Sequence, residues 1–154
     1  MTEEKKDTHQ RVIEYTRITK PLFAYLPWLE SSAGHTVSNN FDGQGIRENS
    51  VTFPVFDGTL MRFVKEASRS PLMDKNYRYI YTRNRIKTPE DEKRVIQKAT
   101  LKEWDILCGI LSRYILGGMT KGYLWGQGVS SSVLYQVLHK MKYVLEYWDK
   151  PLKE

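Results

Sequence analysis

The sequence predicts a mainly α, single-domain fold of about six helices with one short extended or edge-strand element. Three observations carry that prediction. Apolar residues recur every three or four positions over most of the chain, which places them on helical faces. Two segments open with strong helix-start chemistry, Thr88-Pro89-Glu90-Asp91 and Thr100-Leu101-Lys102-Glu103. Only one run, Ser50–Phe56, reads as β, and its Pro54 confines it to an edge. At 154 residues with 40% hydrophobic content, the chain is long enough for one well-buried core and too short for two ordinary domains. Residues 1–154 are therefore expected to be one domain, with 1–7 and 150–154 frayed.

The first periodic segment starts near Asp7 or Thr8, either of which can cap a helix, and carries Val12, Tyr15, Thr19, Leu22, Leu26 and Leu29 on one face. Pro21 and Pro27 interrupt it, because proline lacks an amide donor and crowds the preceding turn. The expectation is two helices, about 8–19 and 21–31, with Pro21 in the first turn of the second. Residues 32–50 are rich in Ser, Gly, Asn and Asp and show no period, so an irregular excursion is expected. Asp57-Gly58-Thr59 opens a helix to about Ser68, with Leu60, Phe63, Val64 and Ala67 inward. Thr88 and Thr100 open helices to about Ala99 and Leu116, and Leu101, Trp104, Cys108, Leu111 and Ile115 share one face of the latter. The last helix, about Ser130–Trp148, carries a broad apolar stripe that includes Val133, Val137, Met141 and Val144, and Pro151 closes it.

Composition narrows the function classes. One cysteine permits no internal disulfide. No apolar stretch approaches the roughly 20 residues of a membrane span, and the polar N-terminus is no signal peptide, so a cytoplasmic location with no membrane partner is expected. His9, His35 and His139 are too far apart in sequence to grip a metal together on one helix. No metal site, no cofactor and no catalytic residue is assigned. Cys108 is expected to be buried and inert. His35, in the polar excursion, is better placed for chemistry than His139, which lies on a helix flank between Tyr135 and Tyr143.

The formal net charge is +6, and its distribution is uneven. Residues 62–87 hold eight basic groups against Glu66 and Asp74, an excess equal to the whole net charge. Lys75–Lys87 contains no acid and interleaves its cations with three tyrosines. Basic side chains neutralise phosphates and tyrosines stack on unpaired bases. Arg78, Tyr79, Tyr81, Arg83, Arg85 and Lys87 are therefore the candidate polyanion-binding residues. The alternative is that Tyr77, Ile80 and Tyr81 pack inward under a solvated basic face. The partner would be an acidic protein surface or a nucleic acid, bound without catalysis.

The loop 117–128 supplies a second candidate. Its glycines could converge amide protons on an anion, with Gly117, Gly118, Lys121 and Gly122 as the candidate anion loop of an enzyme or sensor for a phosphorylated small molecule. It is no nucleotide-binding P-loop, since a helix rather than a strand precedes it and Lys121 comes before its glycine. The competing reading is a helix connection in which Gly117 or Gly118 supplies a left-handed or close-approach position.

The segments Phe53-Pro54-Val55-Phe56-Asp57-Gly58-Thr59-Leu60, Asp74-Lys75-Asn76-Tyr77 and Tyr114–Trp125 resemble an uncharacterised family of small proteins from Gram-positive bacteria and their phages or mobile elements. The resemblance covers about residues 10–150. It implies a bacterial or phage accessory setting and brings no activity, cofactor or residue role.

Overall fold

In the computed structural model, which describes residues 3–33, 38–41, 53–56 and 58–149, the chain is mainly α. Two helices form the centre. α6 (Trp104–Gly117) buries Leu107, Cys108, Ile110, Leu111, Tyr114 and Ile115, and α8 (Val133–Asp149) buries Val133, Leu134, Val137, Leu138, Met141, Val144 and Leu145. The buried residues of α6 extend over more than half its circumference, and those of α8 form one broad stripe, wide enough to take several neighbours. α8 meets α1 (Glu3–Phe23), α2 (Leu26–Ser32), α5 (Pro89–Lys98), α6 and α7 (Tyr123–Ser130). α3 (Gly58–Ser68) lays Leu60, Phe63, Val64 and Ala67 against this core beside α6, and α4 (Tyr77–Arg83) packs on α6. No helix among the described residues is long and apolar enough to cross a membrane.

The two helix starts form as their sequences direct. Thr88 Oγ1 accepts the Asp91 amide proton while the Asp91 carboxylate accepts the Thr88 amide, a closed capping box. Thr100 and Glu103 repeat it at a 3₁₀ turn, Leu101–Glu103, that leads into α6. Cys108 is buried, and burial pushes its thiol up to about 12.

Three expectations are corrected. The first break falls at Ala24-Tyr25 rather than at Pro21. α1 begins at Glu3 and carries Pro21 in its last turn, and Pro27 is the proline that sits in a first turn, of α2. A proline three residues from a helix end costs one backbone bond near a terminus that would soon fray, so the helix continues past it. The helix count is eight among the described residues, because α4 and α7 add to the six expected. Each is short, seven and eight residues, and shows too little of a period to stand out. The lone extended element is also replaced. Phe53–Phe56 pairs antiparallel with Ser38–Phe41, Pro54 opposite Asn40. His35 and residues 150–154 lie outside the described residues.

Candidate functional site

α4 is fixed to α6 by three local devices. Buried Ser112, on α6, accepts the Asp74 amide proton at 2.8 Å, and Asp74 Oδ1 accepts the Asn76 amide at 2.8 Å, which turns the chain into α4. Ile80, the one fully buried residue of α4, packs over Gly109, where any Cβ would stand 2.9 Å from Ile80 Cγ2. The close approach brings the side chains of α4 over the C-terminal half of α6. At its other end α4 stops in a left-handed turn at Arg85 (φ 55°), and the Ile86 and Arg85 amides donate to Tyr81 O and Thr82 O at 2.9 and 3.2 Å.

This placement divides the basic segment. Tyr79, 63% exposed, and Arg83 lie four residues apart on the outer face of α4. Arg78, Thr82 and the half-buried Tyr77 and Tyr81 turn toward the α6–α7 connection. There they line a cleft of about 340 Å³ with Arg113, Gly117, Thr120 and Lys121. Cations from α4, α6 and the connection thus share one concavity whose lining holds no carboxylate. Among the described residues neither Arg78 nor Lys121 has an ion-pair partner. Lys87 lies past the turn and lines a neighbouring cavity, also about 340 Å³.

The two cavities share Tyr81 and Arg113 as a common wall, and beneath that wall is Glu92, 2% exposed. A buried carboxylate needs its oxygens satisfied, and here they are. Tyr114 donates its hydroxyl to Oε1 at 2.6 Å, Tyr81 donates to Oε2, and Arg113 Nη1 reaches Oε2 at 3.4 Å. The Arg113 guanidinium also lies over both phenol rings, 5.4 Å from the Tyr81 centroid and 5.0 Å from that of Tyr114. Burial, then the Glu92 carboxylate, raises the Tyr81 hydroxyl well above the usual phenol range. For Tyr114 the order is burial, then its hydrogen bond to Glu92. Burial works against the Arg113 charge, but Tyr81, Tyr114 and Glu92 outweigh it and hold its pKa above the ordinary arginine value.

The glycine connection is not an amide cradle. Gly118, Met119, Thr120 and Lys121 all donate their amide protons to carbonyls within the turn, on Tyr114, Leu116 and Gly117. Nor is it left-handed: Gly118 has φ −68° and Gly122 φ −53°. Gly118 is required by close approach instead, since a Cβ there would fall on Nε1 and Cδ1 of Trp125, whose indole donates to Ile115 O at 3.0 Å. The connection therefore offers the cleft Lys121 and Thr120 side chains and the surface of Gly117, while Gly118 lies buried under the indole and Gly122 does not line the cleft.

Sequence reasoning missed Arg113 and Glu92. Arg113 is the only charged residue between Asp105 and Lys121, a lone cation in an otherwise apolar run. Glu92 sits four residues before Ile96 on the inward face of α5, unlike its neighbours Glu90 and Asp91. His139 stacks on Tyr135, ring centroids 5.4 Å apart, and lines a separate cavity with Glu30 and Lys142 rather than the cleft. No group of three His, Cys, Asp or Glu residues that could hold a metal ion occurs among the described residues. Compared with protein-family models, curated proteins and solved structures, the chain matches none.

Proposed function

We propose that this chain is a binding protein for phosphate-bearing anions, which it takes into the cleft between α4 and the α6–α7 connection. The observation that supports this is the convergence of Arg78, Arg113 and Lys121, from three separate elements, on one cleft lined by no acid. Three cations held around a concavity attract an anion more strongly than the same charges spread on a convex face, because low-dielectric walls focus their field. Tyr77 and Tyr123 flank them with aromatic surface, which suits a ligand that carries a base or other ring as well as phosphate. The two readings made from sequence, a basic tyrosine surface and a phosphorylated ligand at the glycine connection, meet at this place. A nucleic-acid strand is the partner that would also use Tyr79 and Arg83, exposed on the adjacent face of α4. A cytoplasmic, bacterial or phage accessory setting fits a ligand of this chemistry.

The test is a salt titration of oligonucleotide and nucleotide binding. Each neutralised phosphate contributes a slope of about −0.9 in log K against log salt on duplex and about −0.7 on single strands. Replacing Arg78 and Lys121 together by Ala should flatten the slope by more than one unit, and replacing Arg83 and Arg85 should change it little. The reverse pattern would move the site to the outer face of α4, and no binding at low salt to any phosphate compound would end the reading.

A further inference from the structure

We propose that the cavity across Tyr81 and Arg113 is a companion anion subsite, so that one ligand bearing two phosphate groups on a single nucleoside spans both cavities with Arg113 between them. The inference rests on the phosphate reading of the cleft and adds the class of ligand. Its first support is the position of Arg113, which lines both cavities. A guanidinium has five N–H donors in a fixed fork. Glu92 engages Nη1 at 3.4 Å and the side chain is one-third exposed, so donors remain on Arg113 for a ligand in either cavity that it lines.

The second support is charge. The cleft adds Arg78 and Lys121 to the shared Arg113, and the companion cavity adds Lys87. Against these four cations the two linings hold one acid, Glu92, whose oxygens are already taken by two hydroxyls and Arg113. Lys121 lines only the cleft and Lys87 only the companion cavity, so a ligand that uses both lysines needs an anionic group in each, which two linked phosphates supply. The third support is size. Each cavity is about 340 Å³, in the range of pockets for organic ligands, roughly 300–1,000 Å³, and far larger than one phosphate ion. A nucleoside between the phosphates fills that space and offers a ring to Tyr77 or Tyr123.

The experiment is calorimetric titration of the full chain with inorganic phosphate, a nucleoside 5′-monophosphate, the matching 3′,5′-bisphosphate and a 5′-phosphorylated trinucleotide. The bisphosphate should bind about tenfold more tightly than the monophosphate, the gain of one charge-assisted contact. Lys87→Gln should remove that gain and leave the monophosphate unchanged, whereas Lys121→Gln should weaken both. Both lysines are exposed, so neither change threatens the fold. Equal affinity for the two nucleotides, or a Lys87→Gln variant that retains the gain, overturns the companion subsite and leaves the cleft reading standing. Failure of every phosphate compound to bind overturns both. Where the bisphosphate gain and its loss in Lys87→Gln are seen, a trinucleotide that binds at least as well as the bisphosphate identifies the source as a strand end, and a weaker one identifies a free nucleotide.

Discussion

Tyr114 and Glu92, 22 residues apart in sequence, meet inside the fold through a hydroxyl–carboxylate hydrogen bond of 2.6 Å. That bond ties the last turn of α6 to the first turn of α5, and Arg113 next to it reaches the same carboxylate while lining both cavities. Consecutive residues on one helix thus hold the same buried carboxylate, Tyr114 through its hydroxyl and Arg113 through its charge. The consequence is that Arg113 cannot be removed without leaving Glu92 short of a counter-charge.

Arg113→Ala should therefore destabilise the fold by about 2–3 kcal/mol, less than the roughly 3–5 kcal/mol of a fully buried broken pair, because the Arg113 side chain is one-third exposed. Arg113→Lys keeps the charge but loses the fork and the ring contacts, and should cost clearly less. Denaturant unfolding of both variants checks this. Equal stability of the Ala variant and the parent would mean that the two phenols alone satisfy Glu92.

Alkaline pH should weaken the fold through the same cluster. Tyr81 and Tyr114 have hydroxyl pKa values raised in the folded state, by burial first. An unfolded tyrosine ionises near pH 10. Above that the unfolded chain sheds protons that the folded chain keeps, so stability present below about pH 10 is lost as the pH climbs further. The buried Cys108 thiol adds to the decline between its unfolded value near 8.5 and about 12. Tyr114→Phe should lower stability at pH 8, where its hydrogen bond is lost, and make the fall above pH 10 shallower. Urea unfolding at pH 8, 10 and 11 measures both effects, and a parent that is as stable at pH 11 as at pH 8 would refute them.

The parts of the fold that could be read from sequence are those whose cause is local. The Thr88 and Thr100 starts need only four residues each to specify them, and the apolar rows of α3, α6 and α8 repeat often enough to fix their buried faces. Pro21 misled because a proline's cost depends on how much helix follows it, which is a matter of packing. The charges of Arg78 and Lys121 were legible; their meeting was not, because it depends on how closely α4 approaches α6 at Ile80 and Gly109, a contact between residues 29 apart. Arg113 was the available signal, a single cation in an apolar helix that had to reach water or a partner somewhere.

Gly118 shows the same limit and yields a prediction. Its place at a helix end suggests a left-handed cap, yet its φ of −68° is accessible to any residue. What excludes a side chain is the Trp125 indole lying against its Cα. Gly118→Ala should force the indole off Ile115 O and cost about 2 kcal/mol or more, by overpacking and by the lost hydrogen bond. Gly58→Ala, where among the described residues the new methyl meets only the end of the Arg62 side chain at 3.8 Å, should stay within about 0.5 kcal/mol of the parent. Thermal unfolding of the two variants distinguishes close approach from a general intolerance of alanine.

Arg85 holds the conformation that Gly118 does not. With φ 55° it is the left-handed residue after α4, and its neighbours complete the motif that usually has glycine there: Ile86 N–H donates to Tyr81 O and Arg85 N–H to Thr82 O, with Ile86 buried beneath. For a residue with a Cβ this conformation costs about 1–2 kcal/mol, and glycine returns about 0.5–1 kcal/mol of that through the greater freedom of its unfolded chain. Arg85→Gly should then stabilise the fold by about 0.5–1 kcal/mol. Charge loss adds to that backbone figure, since Arg85 stands in the most basic stretch of the chain. Arg85→Ala removes the same charge and keeps the strain, so the difference between the two variants isolates the backbone. Glycine should be the more stable of the pair in denaturant unfolding. If alanine matches it, the left-handed turn carries no strain, and the arginine there needs no compensation from elsewhere in the molecule.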